Sequence, residues 1–564
     1  MKYIIVGAVA GGASTAARLR RLDEQAEIIL FEKGEYISYA NCGLPYYIGD
    51  VIQERAKLFV QTAASFTQRF LIDVRTQTEV TTIDSDKKAV TAVNRQGISY
   101  QETYDKLILA TGAEPLRPPL PGIQSEGIFT LRNVQDTDMI KGYIDKKRAK
   151  TVLVVGAGFI GLEMAENFHG LGLEVTLVEM GNQILAPLDF PMAALVQEHV
   201  RSKGIKLYLK NAVSGFQQQE DGILTTLNNG ESILTDLVLL SIGVRPDLKL
   251  ATQAGLKTGP AGGILVNPYL QTSDPDIYAL GDVIEFANPI SGQSMTTFLA
   301  GPANKQGRIC ANNLALGNTH SYSGSINTAI VQVFELTVAA TGMAAKQLKK
   351  AGLAHIVSTT RAASHASYFP GSKQMTIQIV FSPETGRLLG AQIVGYDGVD
   401  KRIDVLSAYI QQQKTIYELA EFEQAYAPPY SSAKDPLNMA AFVAENILLK
   451  RLRVFYWEEI ANLSPQQFLL DVRSPEEYRT AHISGAVNIP LDEIRHRMEE
   501  IPADKNIYIY CEAGLRGYLA QRILIQNGFP RVMNLSGGYY LWKTCTNEQQ
   551  LLLQKDQVLR VITR

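Results

Sequence analysis

The amino-acid sequence predicts an α/β protein with two nucleotide-binding βαβ units, an α+β segment after them, and a further parallel α/β unit at the C-terminus. Three observations predict it. Two apolar strands each run directly into a glycine-rich turn and a helical segment, at residues 3–22 and 151–170. Between Ser325 and Asn446 the pattern changes to longer apolar runs divided by turn residues. From Val454 onward, short strands alternate with helical segments again.

The first unit is the strand Tyr3–Val6, a turn through Gly7, Gly11 and Gly12, and a helix to about Leu22. The second is Thr151–Val155, a turn through Gly156, Gly158 and Gly161, and a helix to about Gly170. Each is followed by an apolar strand ending in an acid, Ile28–Glu32 and Val175–Glu179. Two such Rossmann-like units imply two dinucleotides. The second turn fits the full G-x-G-x-x-G spacing. Its first glycine makes the tight turn, the second admits a pyrophosphate, and the third lets helix and strand pack closely. The phosphates then meet free N–H groups and the positive end of the helix dipole. Glu179 can accept from a ribose 2′-hydroxyl and would repel a 2′-phosphate, which favours NADH and leaves NADPH possible. The first turn is less regular, because Val9 stands where the second glycine would. Two later pieces support it: Leu109-Ala110-Thr111-Gly112-Ala113, and a strand ending in Gly281-Asp282. A carboxylate and a helix N-terminus placed there can face ribityl and pyrophosphate groups.

The segment from Ser325 to Asn446 carries no nucleotide signature. Met375–Phe381 and Leu388–Val394, separated by Pro383 and Gly386, read as antiparallel strands, with helical segments following. The last unit contains Phe468–Val472, a Pro-Glu-Glu helix start, Ala486–Ile489, and the strand Ile507–Tyr510 leading into Cys511.

Composition narrows the function classes. The 564 residues suggest about three to five domains. With 46% apolar and 20% charged residues and a net charge of −2, nothing global points to nucleic acid or an anionic membrane. The four cysteines, Cys42, Cys310, Cys511 and Cys545, lie far apart and lack metal-ligand spacing. Neither a metal site nor a disulfide framework is expected, and a reducing cytoplasm fits best. Lys2 and the Ala-rich stretch behind it have some look of a signal peptide. Arg18, Arg20 and Arg21 follow within a helical pattern, so strand and helix are the expectation there. No apolar run approaches the roughly 18 residues of a membrane span.

Taken with their turns and strand ends, residues 1–446 resemble the two-dinucleotide flavoprotein disulfide reductases. The resemblance implies FAD in the first site and NAD(P)H in the second. It implies a discontinuous FAD domain (1–113 and 245–324), an inserted nicotinamide domain (114–244) and a dimerisation domain (325–446), hence a homodimer. FAD would then meet Gly7, Gly11, Gly12, Glu32 and Asn41, together with Val80, Thr111, Gly112, Asp282 and Ala300. NADH would meet Gly156, Gly158, Gly161, Glu179 and Gly243.

Electrons passed to a flavin must leave it, and Cys42 in Ser38-Tyr39-Ala40-Asn41-Cys42-Gly43 is the candidate acceptor. A thiolate is the nucleophile in disulfide exchange, and a helix N-terminus or electron-poor neighbour lowers its pKa. No second cysteine stands nearby in sequence, since Cys310 is the next. Cys42 would therefore cycle through a mixed disulfide with a substrate thiol or through a sulfenic acid. The segment resembles the S-x-x-N-C of single-cysteine reductases, shared by coenzyme A-disulfide reductases and by NADH peroxidases and oxidases. Peroxide- and oxygen-using members resemble one another in a His within the first glycine turn, where this chain has Ala10. The coenzyme A branch is thus the expectation, with an NADH oxidase or peroxidase as the alternative.

That branch also implies roles for Tyr368 and Tyr426, which match tyrosines reaching toward the cysteine from the partner subunit. A phenol there can hydrogen-bond or protonate a leaving thiolate. Ser14, Arg18, Arg21, Ser38, Asn41 and Lys434 match substrate-contact positions. Arg18 and Arg21 lie three apart on one helix face, a cationic pair suited to coenzyme A phosphates or, alternatively, a solvated basic face. Finally, Leu470-Asp471-Val472-Arg473, His482-Ile483-Ser484-Gly485-Ala486 and Tyr510-Cys511-Glu512-Ala513-Gly514-Leu515-Arg516 resemble a rhodanese domain, spanning 455–555. Successive N–H groups of such a loop can cradle a thiolate or persulfide on Cys511, with Arg516 adding positive charge. The expected activity is NAD(P)H-driven reduction of coenzyme A disulfide, coenzyme A persulfide or polysulfide, fused to sulfur transfer.

Overall fold

The structure, a computed structural model, describes residues 1–464 and 466–562, with side chains as far as 553. It comprises two compact units, residues 1–178 with 211–327, and residues 179–210 with 328 onward.

In the first unit a parallel sheet runs in the order Ile277–Ala279, Lys106–Leu109, Lys2–Val6, Glu27–Phe31, Asp73–Arg75. Its central strand is apolar and buried from Tyr3 onward because both faces are covered there, as parallel sheets require. Lys2–Val6 pairs in parallel with Glu27–Phe31 on one side and Lys106–Leu109 on the other, so the order of strands reverses at its carboxyl end. That point is where a doubly wound sheet opens a crevice. Helix Gly11–Leu22 leaves the turn there and packs against helix Ala300–Leu316. Arg20, buried in the first helix, donates to the carbonyls of Phe70, Leu71, Asp23 and Glu24 and so binds the helix end to the following loops.

A second parallel sheet repeats the plan, with Thr151–Val155 between Glu174–Glu179 and Leu237–Leu240, and Ile128–Thr130 beyond. The unit also holds two three-stranded antiparallel ribbons, starting at Glu79 and at Val213, an antiparallel pair of Ala113–Pro115 with Val244–Pro246, and a small sheet around Ile284–Ala287.

In the second unit five antiparallel strands run Ala329–Val333, Leu336–Gly342, Leu388–Gly395, Gln374–Phe381, Ile356–Ala363. The two runs expected to be antiparallel do pair, Met375 opposite Gly395. Helices Val399–Gln411 and Pro436–Leu448 lie on this sheet. The C-terminal parallel sheet follows in the order Val454–Phe455, Val532–Leu535, Asn506–Tyr510, Gln467–Asp471, Val487–Asn488. Among the described residues no helix is long and apolar enough to cross a membrane, and no His, Cys, Asp and Glu cluster could hold a metal ion.

Candidate active sites

Two glycine turns have nearly superposable constraints. Gly7 and Gly156 both take φ +100°, and a Cβ on either would run into the neighbouring strand end, at the carbonyls of Ala110 and Ser241. A Cβ on Gly12 or Gly161 would strike the carbonyl of Gly7 or Gly156, so glycine is required where helix crosses strand. Gly11 is held instead by the side chain of Leu280. Gly158 differs from all of these, since a Cβ there would meet open space. Gly243, at φ +112°, lies beside Leu116, whose N–H donates to it at 3.0 Å.

The two acids are built alike. Glu32, just past the end of its strand, accepts from the N–H groups of Ala8 at 2.9 Å and Gly34 at 2.7 Å. Glu179 ends its strand and accepts from the Gly181 N–H at 2.7 Å.

A cleft of about 300 Å³ opens at the carboxyl end of the first sheet. It gathers residues from five separate stretches: Gly7 and Gly11, Glu32, Asn41 with Cys42, Val80, and Thr111 with Gly112. Asp282 and Ala300 complete it. Gly12 alone of the expected set lies beneath the wall, packed on Gly7. Arg132 and Lys33 also line the cleft and had no signal in the sequence reading. Arg132 faces Asp282, whose carboxyl burial raises above its ordinary pKa and whose anion that guanidinium favours. With its amide turned to satisfy both groups, Asn41 donates to the Arg132 carbonyl at 2.9 Å and accepts from its Nη1 at 3.2 Å. A glycine-walled floor, a strand-end carboxylate and a half-buried carboxylate in the short turn Gly281–Val283 fit a flavin dinucleotide.

Cys42 sits in the turn Asn41–Gly43 that opens the short helix Leu44–Ile48. Its side chain lines the cleft and is exposed to solvent. Desolvation by the atoms around it, with the charges of Glu163 and Asp282, pushes its thiol pKa up rather than down. The expected lowering by neighbours is thus absent in the chain alone, because the nearest charges are carboxylates. Glu163 projects from helix Phe159–Gly170, and burial, with help from Glu166, raises its pKa to about 7. Cys42 is the only cysteine and Ala10 the residue at the expected His position in this cleft; none of the seven histidines lines it. Cys310 and Cys545 are buried, and desolvation holds both thiols protonated.

The expected substrate positions gather partly beside this cleft. Ser14 donates to Asn304 at 2.5 Å, and Arg18 donates to Asn312 at 3.0 Å. Arg308, unnoticed in the sequence, faces Arg18 along with Arg21, making a cluster of three cations. Ser38 takes a left-handed φ of 46°, and its N–H donates to the Ala8 carbonyl at 2.9 Å. Lys434 belongs to the second unit and is exposed.

Also in the second unit, the hydroxyls of Tyr368 and Tyr426 meet at 3.1 Å, with the rings 75% and 47% exposed. A buried ion pair frames their loops. Arg402 donates to Asp435 at 2.7 Å and to the Ser364 carbonyl at 2.8 Å, and Ser431 donates to Asp435 at 2.6 Å.

At the C-terminal sheet, Cys511 is buried at the mouth of a loop, and the Gly514 N–H donates to its sulfur at 3.1 Å. Arg516 is held by Glu477 and also faces the Cys511 sulfur. Both its Nη groups donate to Glu477, at 2.6 and 2.7 Å, and this pairing holds the Glu477 carboxyl down at about 2.

A family model described as pyridine nucleotide-disulphide oxidoreductase matches residues 1–307, more than half of the chain. The chain belongs to the pyridine nucleotide-disulphide oxidoreductases. The dimerisation domain of that family matches residues 328–436, and a rhodanese-like domain matches 456–545. A coenzyme A disulfide reductase of Staphylococcus haemolyticus is 37% identical over 447 residues, 79% of this chain and all of that protein. An NADH oxidase of Methanocaldococcus jannaschii is 35% identical over 442 residues, 78% of this chain and 98% of that one. Among solved structures, reduced Bacillus anthracis CoADR-RHD aligns with TM-score 0.95 and 46% identity, covering 97% of this chain and 98% of its own. An NAD-dependent persulfide reductase from A. fulgidus aligns with TM-score 0.91 and 38% identity, covering 96% and 100%. This oxidoreductase is therefore a reductase of the coenzyme A disulfide reductase type fused to a rhodanese-like domain.

Proposed function

We propose that the enzyme uses NADH to reduce the sulfur–sulfur bond of coenzyme A disulfide, coenzyme A persulfide or polysulfide through Cys42 alone. One observation carries this reading. A single thiol shares one cleft with Glu32 and Asp282, and no second cysteine or histidine lines it.

FAD, held by Gly7, Gly11, Glu32, Thr111 and Asp282, would take hydride from NADH and supply the two electrons that return Cys42 to thiolate. Gly156, Gly158 and Gly161 would receive the NADH pyrophosphate, and Glu179 the adenosine ribose. Cys42 thiolate attacks one sulfur of R–S–S–R, forming Cys42–S–S–R while RS⁻ leaves; with a persulfide the leaving group is hydrosulfide or thiolate. Tyr368 and Tyr426, supplied across a homodimer, would protonate the departing sulfur. The dimerisation-domain match supports that assembly. Arg18, Arg21 and Arg308 offer the phosphates of coenzyme A a cationic landing, with Ser14, Ser38, Asn41 and Lys434 completing the contacts.

The alternative of an NADH oxidase or peroxidase lacks a proton donor at Ala10. The test is NADH oxidation with coenzyme A disulfide, coenzyme A persulfide, polysulfide, hydrogen peroxide and oxygen side by side, in the native chain and in Cys42→Ser. Turnover on the sulfur compounds that disappears in the variant is expected. Preference for peroxide or oxygen would overturn the reading.

A further inference from the structure

A cavity of about 230 Å³ lies within the second unit and shares no residue with the cleft that holds Cys42. Three elements build it. Helix Phe190–Ser202 supplies one wall, the five-stranded antiparallel sheet a second, and the start of helix Gly538–Ile562 a third. On the sheet, Arg361 stands opposite Thr376 and Thr376 opposite Val394, so the three side chains form a row across one face. Two charges in this cavity lack a counter-charge. The half-buried guanidinium of Arg361 lies over the ring of Tyr540, 3.8 Å from its centroid, and among the described residues no carboxylate pairs with it. Stacking covers one face of the guanidinium and leaves its N–H edge free to donate. Glu198, on the helix wall, accepts from the Thr544 hydroxyl at 2.9 Å, and among the described residues no cation pairs with it, Arg361 included. His199 adds no charge at neutral pH, since burial and then the Lys203 ammonium hold its pKa below the ordinary 6.5. Lys203 is itself matched by Glu335 at 2.6 Å. Leu195, Leu336 and Val394 give the lining an apolar surface.

An occupant with negative charge alone would be drawn to Arg361 and repelled by Glu198, and one with positive charge alone the reverse. A compact molecule carrying both signs satisfies both walls, and the volume admits only a small one. We propose that this cavity binds a zwitterionic amino acid with an apolar side chain. Its carboxylate meets Arg361, its ammonium meets Glu198, and its side chain covers Leu195, Leu336 and Val394. A carboxylate on a guanidinium fork and an ammonium on a carboxylate are the strong, charge-assisted class of hydrogen bond, which so small a solute needs to be held at all. The site stands apart from the reductase reaction and does not depend on which sulfur compound Cys42 attacks.

The experiment is isothermal titration calorimetry on the flavin-loaded full chain. The probes are L-valine, N-acetyl-L-valine, which lacks the ammonium, L-valinamide, which lacks the carboxylate, and inorganic phosphate. L-Valine is expected to bind, with N-acetyl-L-valine and L-valinamide each weaker by roughly tenfold or more. Glycine, which leaves the apolar surface uncovered, should also bind more weakly than L-valine. Two variants place the ligand. Arg361→Gln should weaken L-valine and erase its advantage over L-valinamide. Glu198→Gln should weaken L-valine and erase its advantage over N-acetyl-L-valine. N-acetyl-L-valine or phosphate binding as tightly as L-valine overturns the inference, as does a uniform loss of all probes in both variants. L-Valine in large excess that gives neither heat nor a rise in melting temperature overturns it as well.

Discussion

The phenol of Tyr46 donates to a carboxylate oxygen of Glu163 at 3.3 Å, joining the short helix behind Cys42 to the helix of the second glycine turn. After desolvation, Glu163 is the larger electrostatic influence on the Cys42 thiol, ahead of Asp282. Glu163→Gln removes that charge, so Cys42 thiolate should form at lower pH. The check is the pH profile of Cys42 alkylation in a Cys511→Ser background, expected to move acidward; an unmoved or alkaline-shifted profile contradicts the coupling. A stability effect accompanies it. The folded chain holds the Glu163 proton up to about 7, above the ordinary 4.5, so folding loses stability as pH rises between those values. The melting temperature of Glu163→Gln should therefore gain on the native protein across that window, and only there.

The glycine turns allow the two dinucleotide sites to be separated. Alanine at Gly12 or Gly161 forces a Cβ into a backbone carbonyl that cannot retreat. Overpacking of this kind costs about 1–3 kcal/mol and displaces the helix start. Gly12→Ala should leave the purified protein depleted of flavin, visible in its absorption spectrum. Gly161→Ala should keep the flavin and raise the Kd for NADH, roughly tenfold or more, by the same cost. Loss of flavin from Gly161→Ala rather than Gly12→Ala would reverse the assignment of the two sites.

Much of this architecture was legible in the chain because sterics wrote it there. Gly7, Gly12, Gly156 and Gly161 are glycines for backbone reasons that act over a few residues, and spacing reveals them. Parallel strands such as Thr151–Val155 announce themselves by being apolar on both faces. What stayed hidden is what folding brings from afar. Arg132 reaches Asp282 and Arg308 reaches Arg18 across long stretches of sequence, and each reads locally as an ordinary surface cation. The second partner of Arg516 stayed hidden for the same reason: Glu477 lies 39 residues earlier. The direction of the Cys42 shift depended on the desolvation that folding imposes and then on Glu163, which stands on a helix of another sheet.

The Arg402–Asp435 pair ties the loops of Tyr368 and Tyr426 together in a buried setting. Burial alone would raise the Asp435 pKa, but the bonds and charge from Arg402 outweigh it and the net shift is downward. A depressed carboxyl contributes stability above its ordinary 3.8 and loses it as pH falls through the lower folded value. Asp435→Asn leaves Arg402 buried without its counter-charge, a change that costs about 3–5 kcal/mol. Thermal melts at neutral pH should show that loss, and the variant should melt with less acid dependence below the ordinary carboxylate range. An Asp435→Asn protein as stable as the native one would show that the pair does not organise this region.

Behind the Cys511 loop lies Gly538, at φ +68°, where a Cβ would come within 2.6 Å of the Glu512 carbonyl and 2.7 Å of both the Ala513 nitrogen and the Cys511 carbonyl. The next two residues hold the loop from below, the Tyr539 N–H donating to Cys511 at 2.8 Å and the Tyr540 N–H to Glu512 at 3.1 Å. Alanine at 538 combines a strained φ, worth about 1–3 kcal/mol, with a push on the loop that carries the nucleophile. Gly538→Ala should therefore slow sulfur loading of Cys511 severalfold. NADH oxidation with a soluble disulfide, which calls on Cys42, should continue at the native rate. Parallel loss of both activities would mean that the substitution disturbs more than this loop, and undiminished loading would mean that the Gly538 contact does not shape it.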